Sequence, residues 1–207
     1  MIFIRYENWR NYLRYYPVTS LILVTNLAIY CILLFNGGAS NPDTLFRFGA
    51  VGSELPYSQD WWRYVTAIFL HVSFSHLLFN CFAILVFAPP LERLLGWWRY
   101  ALVFLVSGIL GNALSMAMYR HAMEPTLSVG ASGAIYGVYG AFLYIALLQR
   151  QIMDEGSRRT LYAILMVGVI FSFAVSSTNW MAHLGGLIGG FFMYGLLIRL
   201  TGRFKTR

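Results

Sequence analysis

The chain has 207 residues, of which 58% are hydrophobic and only 11% are charged. Soluble domains carry about 25% charged residues, so this composition excludes an ordinary water-soluble protein and indicates one that is built in a lipid bilayer. The formal net charge of +7 does not indicate a nucleic-acid partner, because the basic residues flank the apolar segments, where the cytoplasmic loops of membrane proteins collect them.

Six apolar segments follow one another along the chain, and each is close to the roughly 20 residues that a membrane-spanning helix needs. In chain order they are about 18–36, 68–89, 97–119, 129–149, 160–177 and 181–199. We expect an all-α fold, a polytopic bundle of six transmembrane helices, in which residues 1–207 form a single domain with short N- and C-terminal tails. No cleavable signal pattern precedes the first segment, so this segment is expected to act as its own insertion signal.

The distribution of lysine and arginine predicts the orientation of these helices. With the N-terminus inside, 12 of the 15 basic residues fall in inner segments, and only Arg47, Arg63 and Arg120 fall in outer ones. Because cytoplasmic loops are enriched in basic residues, both termini are expected in the cytoplasm, and the second, fourth and sixth helices are expected to begin at the outer face. A compact multi-pass chain of this kind fits a bacterial plasma (inner) membrane.

Polar side chains inside membrane spans are costly and tend to be functional. The second segment contains His71, His76 and Asn80, the fourth contains Ser132, and the sixth contains His183. All of these residues lie in the outer half of a helix that starts at the outer face, so at about 1.5 Å per residue they have similar depths. The pattern predicts that the three helices line one cavity in the outer leaflet.

A serine and a histidine at the same depth favour nucleophilic catalysis. A serine hydroxyl attacks only when a neighbouring base takes its proton, and histidine is suited to that task near neutral pH. We therefore predict Ser132 as the nucleophile and His183 as its base. His76 and Asn80 share a helix face because they are four residues apart, and with the backbone N–H of Ser132 they would supply donors for the oxyanion.

The positions of the other chemical groups narrow the class of enzyme. All eight acidic residues fall in connections or at the ends of spans, which favours a Ser–His dyad and disfavours both a membrane aspartyl protease and many proton-coupled transporters. His71 and His76 are five residues apart, whereas zinc ligands on one helix prefer a spacing of four, so we expect no metal and no cofactor. A transporter or channel is further disfavoured because the polar groups leave no path to the inner side.

Three motifs in chain order resemble the rhomboid family of intramembrane serine proteases. They are His71-x4-His76-x3-Asn80, Gly130-Ala131-Ser132-Gly133 and Ala182-His183-x2-Gly186-x3-Gly190. Glu92-Arg93, expected in the loop after the second helix, also resembles a structural charged pair of that family. Any one of these motifs alone would be a weak signal, but their order and positions together identify the chain as a member.

The resemblance implies six helices around a water-accessible cavity that opens outward, with Ser132 as nucleophile, His183 as base, and His76 and Asn80 at the oxyanion. It implies that Tyr136 packs against the His183 ring, that Gly130 belongs to the nucleophile motif, and that His71 has a structural role. The expected partners are the lipid bilayer and single-span membrane proteins as substrates. Neither the residues nor the resemblance indicates an oligomeric state.

Two further interpretations remain at this point. The chain could be a rhomboid-like protein without protease activity that binds transmembrane helices, although such relatives generally lack the serine or the histidine and this chain keeps both. The fifth helix, about 160–177, carries Phe171 and Phe173 but no charged residue. We take it as the movable wall that admits substrate, on the premise that no catalytic group ties it down.

Overall fold

The computed structural model describes residues 2–4, 6–53, 57, 59–119, 126–175 and 178–202. The helices in this part of the chain are α1 (Trp9–Tyr15), α2 (Pro17–Phe35), α3 (Pro42–Arg47), α4 (Arg63–Thr66), α5 (Phe74–Leu95), α6 (Trp97–Tyr119), α7 (Ser132–Leu148), α8 (Glu155–Ala174) and α9 (Trp180–Thr201). Short 3₁₀ turns lie at Ala67–Phe69 and Arg150–Ile152, and strands β1 (Val51–Gly52) and β2 (Leu127–Ser128) pair in antiparallel orientation.

The long helices have the length and composition of membrane spans. Among the described residues, five helices are long and apolar enough to cross a membrane, namely α2, α5, α6, α8 and α9, and α7 is a shorter apolar helix. The 17 residues of α7 still reach the lower end of the range for a spanning helix, roughly 17–25 residues. The protein is thus an integral, multi-pass membrane protein with a helical fold, as the sequence predicts.

The second predicted segment, 68–89, is displaced from the helix that the structure shows. Helix α5 starts at Phe74, because the side chain of Ser73 accepts a hydrogen bond from the N–H of His76 and so caps the helix. The expectation that His71 lies on this helix was wrong, since it precedes the cap. The helix also continues through Pro89 and Pro90 to Leu95, where hydropathy alone suggested an end.

The fifth predicted segment, 160–177, also starts too late. Helix α8 begins at Glu155, because the carboxylate of Asp154 accepts a hydrogen bond from the N–H of Ser157 at 3.0 Å. The first turn of α8 is polar, so an apolar window misses it. By contrast, the third predicted segment, 97–119, coincides with α6.

Helices α6, α7 and α9 form the centre of the molecule, and glycines allow their close contact. A Cβ atom at Gly186 of α9 would overlap the carbonyl oxygen of Gly133 on α7, and one at Gly190 would overlap that of Gly137. Small residues permit such an approach of backbones in membranes. The spacing of these glycines therefore fixes how α7, which carries Ser132, and α9, which carries His183, are aligned along each other.

A buried carboxylate joins α5 to α2. Glu92 accepts hydrogen bonds from the N–H of Val18 at 2.9 Å, from the N–H of Thr19 at 2.8 Å and from the Thr19 hydroxyl at 2.6 Å. A negative charge is stabilised at the N-terminus of a helix, where free N–H groups point outward. The expectation that Glu92-Arg93 lies in a loop was wrong, because both residues belong to the last turns of α5.

The segment between α2 and α5 packs against α6 and against the turn that leads into α7. Arg63 donates hydrogen bonds to the carbonyl oxygens of Phe46 (2.6 Å) and Ala50 (3.1 Å) and to the carboxylate of Asp60 (2.8 Å). The N–H of Gly130 donates to the carbonyl oxygen of Ala67 at 2.8 Å. These contacts hold the turn that leads into α7 against the rest of the molecule.

Candidate active site

Ser132 is the first residue of α7 and follows a sharp turn. Gly130 has a φ of +116°, a conformation that only glycine adopts readily, and Ala131 provides no side-chain cap. The first N–H groups of a helix have no partner within it, and they form the positive end of its dipole. The Ser132 side chain therefore lies beside backbone donors that no capping side chain occupies.

His183 lies in the first turn of α9, and a network of polar side chains positions that turn. The side chain of Asn179 accepts a hydrogen bond from the N–H of Ala182 at 3.1 Å and so caps the helix. The amide of Asn179 donates to the hydroxyls of Ser115 on α6 (2.7 Å) and Ser128 on β2 (3.0 Å). The start of α9 is thus attached to both neighbouring elements.

Ser132 and His183 lie on facing sides of α7 and α9. The rings of Tyr136 and His183 stack with centroids 4.1 Å apart and planes inclined by 8°, and Ser132 lies four residues before Tyr136, on the same face of α7. A Cβ atom at Gly133 would lie 3.3 Å from the carbonyl oxygen of Ala182. Among the described residues, no hydrogen bond joins Ser132 to His183, an arrangement that catalytic pairs often have before substrate binds.

His76 lies against the turn that precedes Ser132. A Cβ atom at Gly130 would lie 2.6 Å from Cε1 and 2.7 Å from Nε2 of the His76 ring, so this edge of the imidazole points at the backbone of the turn. The His71 ring, fully buried, packs edge-on against His76 with centroids 5.0 Å apart. His71 therefore contacts the site through His76.

Asn80, which the sequence predicts at the oxyanion, uses part of its amide within its own helix. Its amide nitrogen donates a hydrogen bond to the carbonyl oxygen of His76 at 3.0 Å, within α5. An amide nitrogen carries two hydrogens, so one of them remains for another acceptor.

Among the described residues, no group of three or more His, Cys, Asp or Glu side chains lies together as a metal ion would require.

Ser172 on α8 is a member of the site that sequence reasoning missed. Its hydroxyl lies 2.8 Å from Nδ1 of His183 and 3.3 Å from the Tyr136 hydroxyl, and it donates to the carbonyl oxygen of Gly168 at 2.7 Å. The premise that no catalytic group ties α8 down was therefore wrong, since Ser172 of α8 bonds His183, the predicted base. The only signal in the sequence was a serine between two phenylalanines in an apolar span.

Comparisons with known proteins identify the family. The rhomboid domain model matches residues 58–200. The chain is 38% identical over 205 residues to YdcA of Bacillus subtilis, named as a candidate rhomboid protease, and the match covers 98% of this chain and 99% of YdcA. This chain belongs to the rhomboid family. It is an intramembrane serine protease by that membership, and the predicted family and enzyme class are confirmed.

Other rhomboid proteases match over parts of their length. Rhomboid protease GluP of Bacillus subtilis is 38% identical over 190 residues, which cover 91% of this chain but 36% of GluP. Rhomboid protease AarA of Providencia stuartii is 29% identical over 196 residues, which cover 84% of this chain and 69% of AarA. This rhomboid thus spans about a third of GluP and nearly all of YdcA.

Proposed function

We propose that this rhomboid is an endopeptidase that cleaves the transmembrane segments of single-span membrane proteins, with Ser132 as nucleophile and His183 as base. The observation that supports this best is the stacking of His183 on Tyr136, 4.1 Å between centroids, one helical turn from Ser132. Rhomboid proteases act on transmembrane substrates in the bilayer, and the apolar helices of this chain suit the same setting.

In the proposed reaction, the Ser132 hydroxyl attacks the carbonyl carbon of the scissile peptide bond while His183 takes its proton. Because Nδ1 of His183 is bonded to Ser172, the proton passes to Nε2. The C–N bond then breaks, the imidazolium gives its proton to the leaving amine, and the acyl group remains as an ester on Ser132. A water molecule, deprotonated by the same nitrogen, attacks this ester, and the proton passes to the Ser132 oxygen as the carboxylic acid product leaves. Among the described residues, the side chain that bonds Nδ1 of His183 is the hydroxyl of Ser172 and not a carboxylate, which supports a dyad.

The negative charge of the tetrahedral intermediate needs donors beside Ser132. The free N–H groups at the start of α7 and the His76 ring, which lies over Gly130, are suited to this role. Asn80 would contribute through the amide hydrogen that it does not donate to the His76 carbonyl oxygen. We assign the larger share of oxyanion stabilisation to His76 and the backbone.

The basic residues support an orientation with both termini in the cytoplasm of a bacterium and the site open toward the outside of the plasma (inner) membrane. Of the three outer basic residues, Arg63 is paired with Asp60 and with two carbonyl oxygens. The rule counts lysine and arginine and not net charge, so Arg63 remains one of three outer basic residues against 12 inner ones.

Cleavage by purified protein tests the proposed function. Wild type is incubated in detergent micelles with a panel of single-span proteins, and products are mapped by mass spectrometry. We expect Ser132→Ala and His183→Ala to lose cleavage, because the dyad acts as a unit and either loss removes most of the rate. Thr160→Ala is the control, since Thr160 is an exposed residue of α8 whose hydroxyl donates to the carbonyl oxygen of Gly156.

The control variant should cleave at the wild-type rate. Cleavage by Ser132→Ala or His183→Ala at that rate would contradict the assignment of the dyad. Binding of substrates by folded wild-type protein without any cleavage would favour the helix-binding alternative instead.

A further inference from the structure

We propose that Ser172 is a positioning residue for the reaction: its hydroxyl holds the His183 imidazole in the tautomer that carries hydrogen on Nδ1, which leaves Nε2 free to accept the proton of Ser132. The role of Ser172 rests on the proposed Ser132–His183 dyad. Its physical basis is a hydrogen-bond chain that begins at a backbone carbonyl of α8 and ends at the imidazole of α9.

The direction of each hydrogen bond follows from the number of hydrogens available. A serine hydroxyl has one hydrogen and two lone pairs. Ser172 donates its hydrogen to the carbonyl oxygen of Gly168 at 2.7 Å, so toward His183 its oxygen acts as an acceptor. The distance of 2.8 Å between Ser172 Oγ and His183 Nδ1 is that of a hydrogen bond, and the hydrogen must come from Nδ1.

Tyr136 completes the coordination of the Ser172 oxygen. Its hydroxyl lies 3.3 Å from Ser172 Oγ and donates to the second lone pair, since the hydrogen of Ser172 is already used. Gly168 makes room for this contact, because a Cβ atom there would overlap the Tyr136 hydroxyl. Tyr136 thus holds the imidazole in two ways, by stacking on its face and by contacting its hydrogen-bond partner.

Burial of Ser172 makes its hydrogen bond with His183 select one tautomer of the imidazole. Ser172 is only 6% exposed, although most of α8 faces outward and Ser157, Leu161 and Ser172 are its buried residues. A buried polar atom that loses its partner is not readily compensated by water. With hydrogen on Nε2, Ser172 could bond Nδ1 only by turning its single hydrogen away from the Gly168 carbonyl oxygen. This tautomer therefore costs one hydrogen bond and is disfavoured.

The consequence for catalysis is that Ser172 performs the orienting task that a carboxylate performs in a Ser–His–Asp triad. An imidazole that holds hydrogen on the nitrogen facing the nucleophile cannot take the serine proton there. A neutral hydroxyl sets the tautomer without a charge, which suits a site inside a membrane where an ionised carboxylate is costly.

Substitution of Ser172 tests the proposal against a merely structural role. Ser172→Ala should lower kcat by about 10–100-fold, the size typical of groups that orient a functional histidine, with KM changed by less than about twofold. Ser172→Thr keeps the hydroxyl and should restore most of kcat. Thr160→Ala is the matched control, because the Thr160 hydroxyl also donates to a carbonyl of α8, that of Gly156 at 3.0 Å, but its side chain is exposed on the surface of the helix.

The tautomer itself is read by ¹⁵N NMR of labelled histidine, with His183 assigned by comparison with His183→Ala and the ring in its neutral form. We expect wild type to carry hydrogen on Nδ1 and Ser172→Ala to shift toward hydrogen on Nε2. Hydrogen on Nε2 in the folded wild type would overturn the proposal, even if the alanine variant failed to fold. An equal loss of kcat in Thr160→Ala and Ser172→Ala would also overturn it.

These readouts separate the two proposals. If Ser132→Ala still cleaves, the dyad is wrong, whatever the tautomer of His183. If Ser132→Ala is inactive while Ser172→Ala keeps wild-type kcat and tautomer, the dyad stands and the role of Ser172 is wrong.

Discussion

Gly130 shows how one residue connects backbone geometry to the proposed oxyanion site. Its φ of +116° and the 2.6 Å between a Cβ atom placed there and the His76 ring mean that any side chain would both strain the turn and displace the imidazole. Gly130→Ala should therefore lower kcat by roughly 10²-fold, the size seen when one oxyanion donor is lost. The measurement is the cleavage rate of the folded variant at saturating substrate.

Gly38→Ala is the matched control for this prediction. Gly38 also has a positive φ, +99°, but a Cβ atom there would meet nothing within 4 Å. It carries the same kind of backbone strain, about 1–2 kcal/mol, without a clash. Loss of cleavage in both variants to the same extent would show that strain, and not the position of His76, explains the effect.

The residues of the site differ in how far the sequence could reveal them. Ser132 and His183 stand out because hydroxyl and imidazole groups in apolar spans at equal depth need an explanation. Ser172 does not stand out, because a serine in a membrane helix ordinarily bonds the carbonyl four residues earlier, as Ser172 does with Gly168. Its second bond, to His183, depends on the packing of α8 against α9, which no local pattern encodes.

At the scale of elements, the contact between α7 and α9 sets the distance between the proposed nucleophile and base. Gly186→Ala would drive a methyl group into the carbonyl oxygen of Gly133, next to Ser132, and backbone cannot yield as a flexible side chain does. We expect loss of cleavage and a destabilisation of about 1–3 kcal/mol, typical of overpacking. Cleavage rate and thermal unfolding of the variant measure both effects.

Gly189→Ala provides the comparison on the same helix. A Cβ atom at Gly189 would lie 2.9 Å from Cδ1 of Leu110, the end of a flexible and partly exposed side chain. This variant should keep most of its activity and stability. If Gly186→Ala kept as much activity as Gly189→Ala, the close contact of α7 and α9 would not be what aligns the proposed Ser132–His183 dyad.

The ends of a helix could be predicted where the helix covers the same residues as the apolar segment. They could not be predicted where a capping side chain sets the first residue of the helix. Helix α6 matches its predicted range, whereas α5 and α8 are displaced because Ser73 and Asp154 cap them. The predicted range ends at residue 89, but α5 continues through Pro89 and Pro90 to Leu95, since membrane helices tolerate proline. The attachment of α8 to His183 through Ser172 also changes the hypothesis of a movable wall, because displacement of α8 would break the bond that holds the proposed base.

For the whole molecule, composition and hydropathy were sufficient to predict a helical multi-pass membrane protein, because bilayer thickness sets helix length. They could not predict how the connections bind the bundle together. Glu92, near the end of α5, accepts hydrogen bonds from the start of α2. Arg63 holds the segment between α2 and α5 through the carbonyl oxygens of Phe46 and Ala50. Both are charged groups whose partners are mainly backbone atoms, which a sequence pattern does not identify.

The central claim is that Ser132 is the nucleophile activated by His183, and covalent labelling tests it most directly. Purified protein is treated with a fluorophosphonate, which reacts with activated serines, and the modified peptide is mapped by mass spectrometry. We predict a single adduct on Ser132 that is lost in the folded His183→Ala variant. An adduct on another serine, or labelling of Ser132 that is undiminished without His183, would contradict the account.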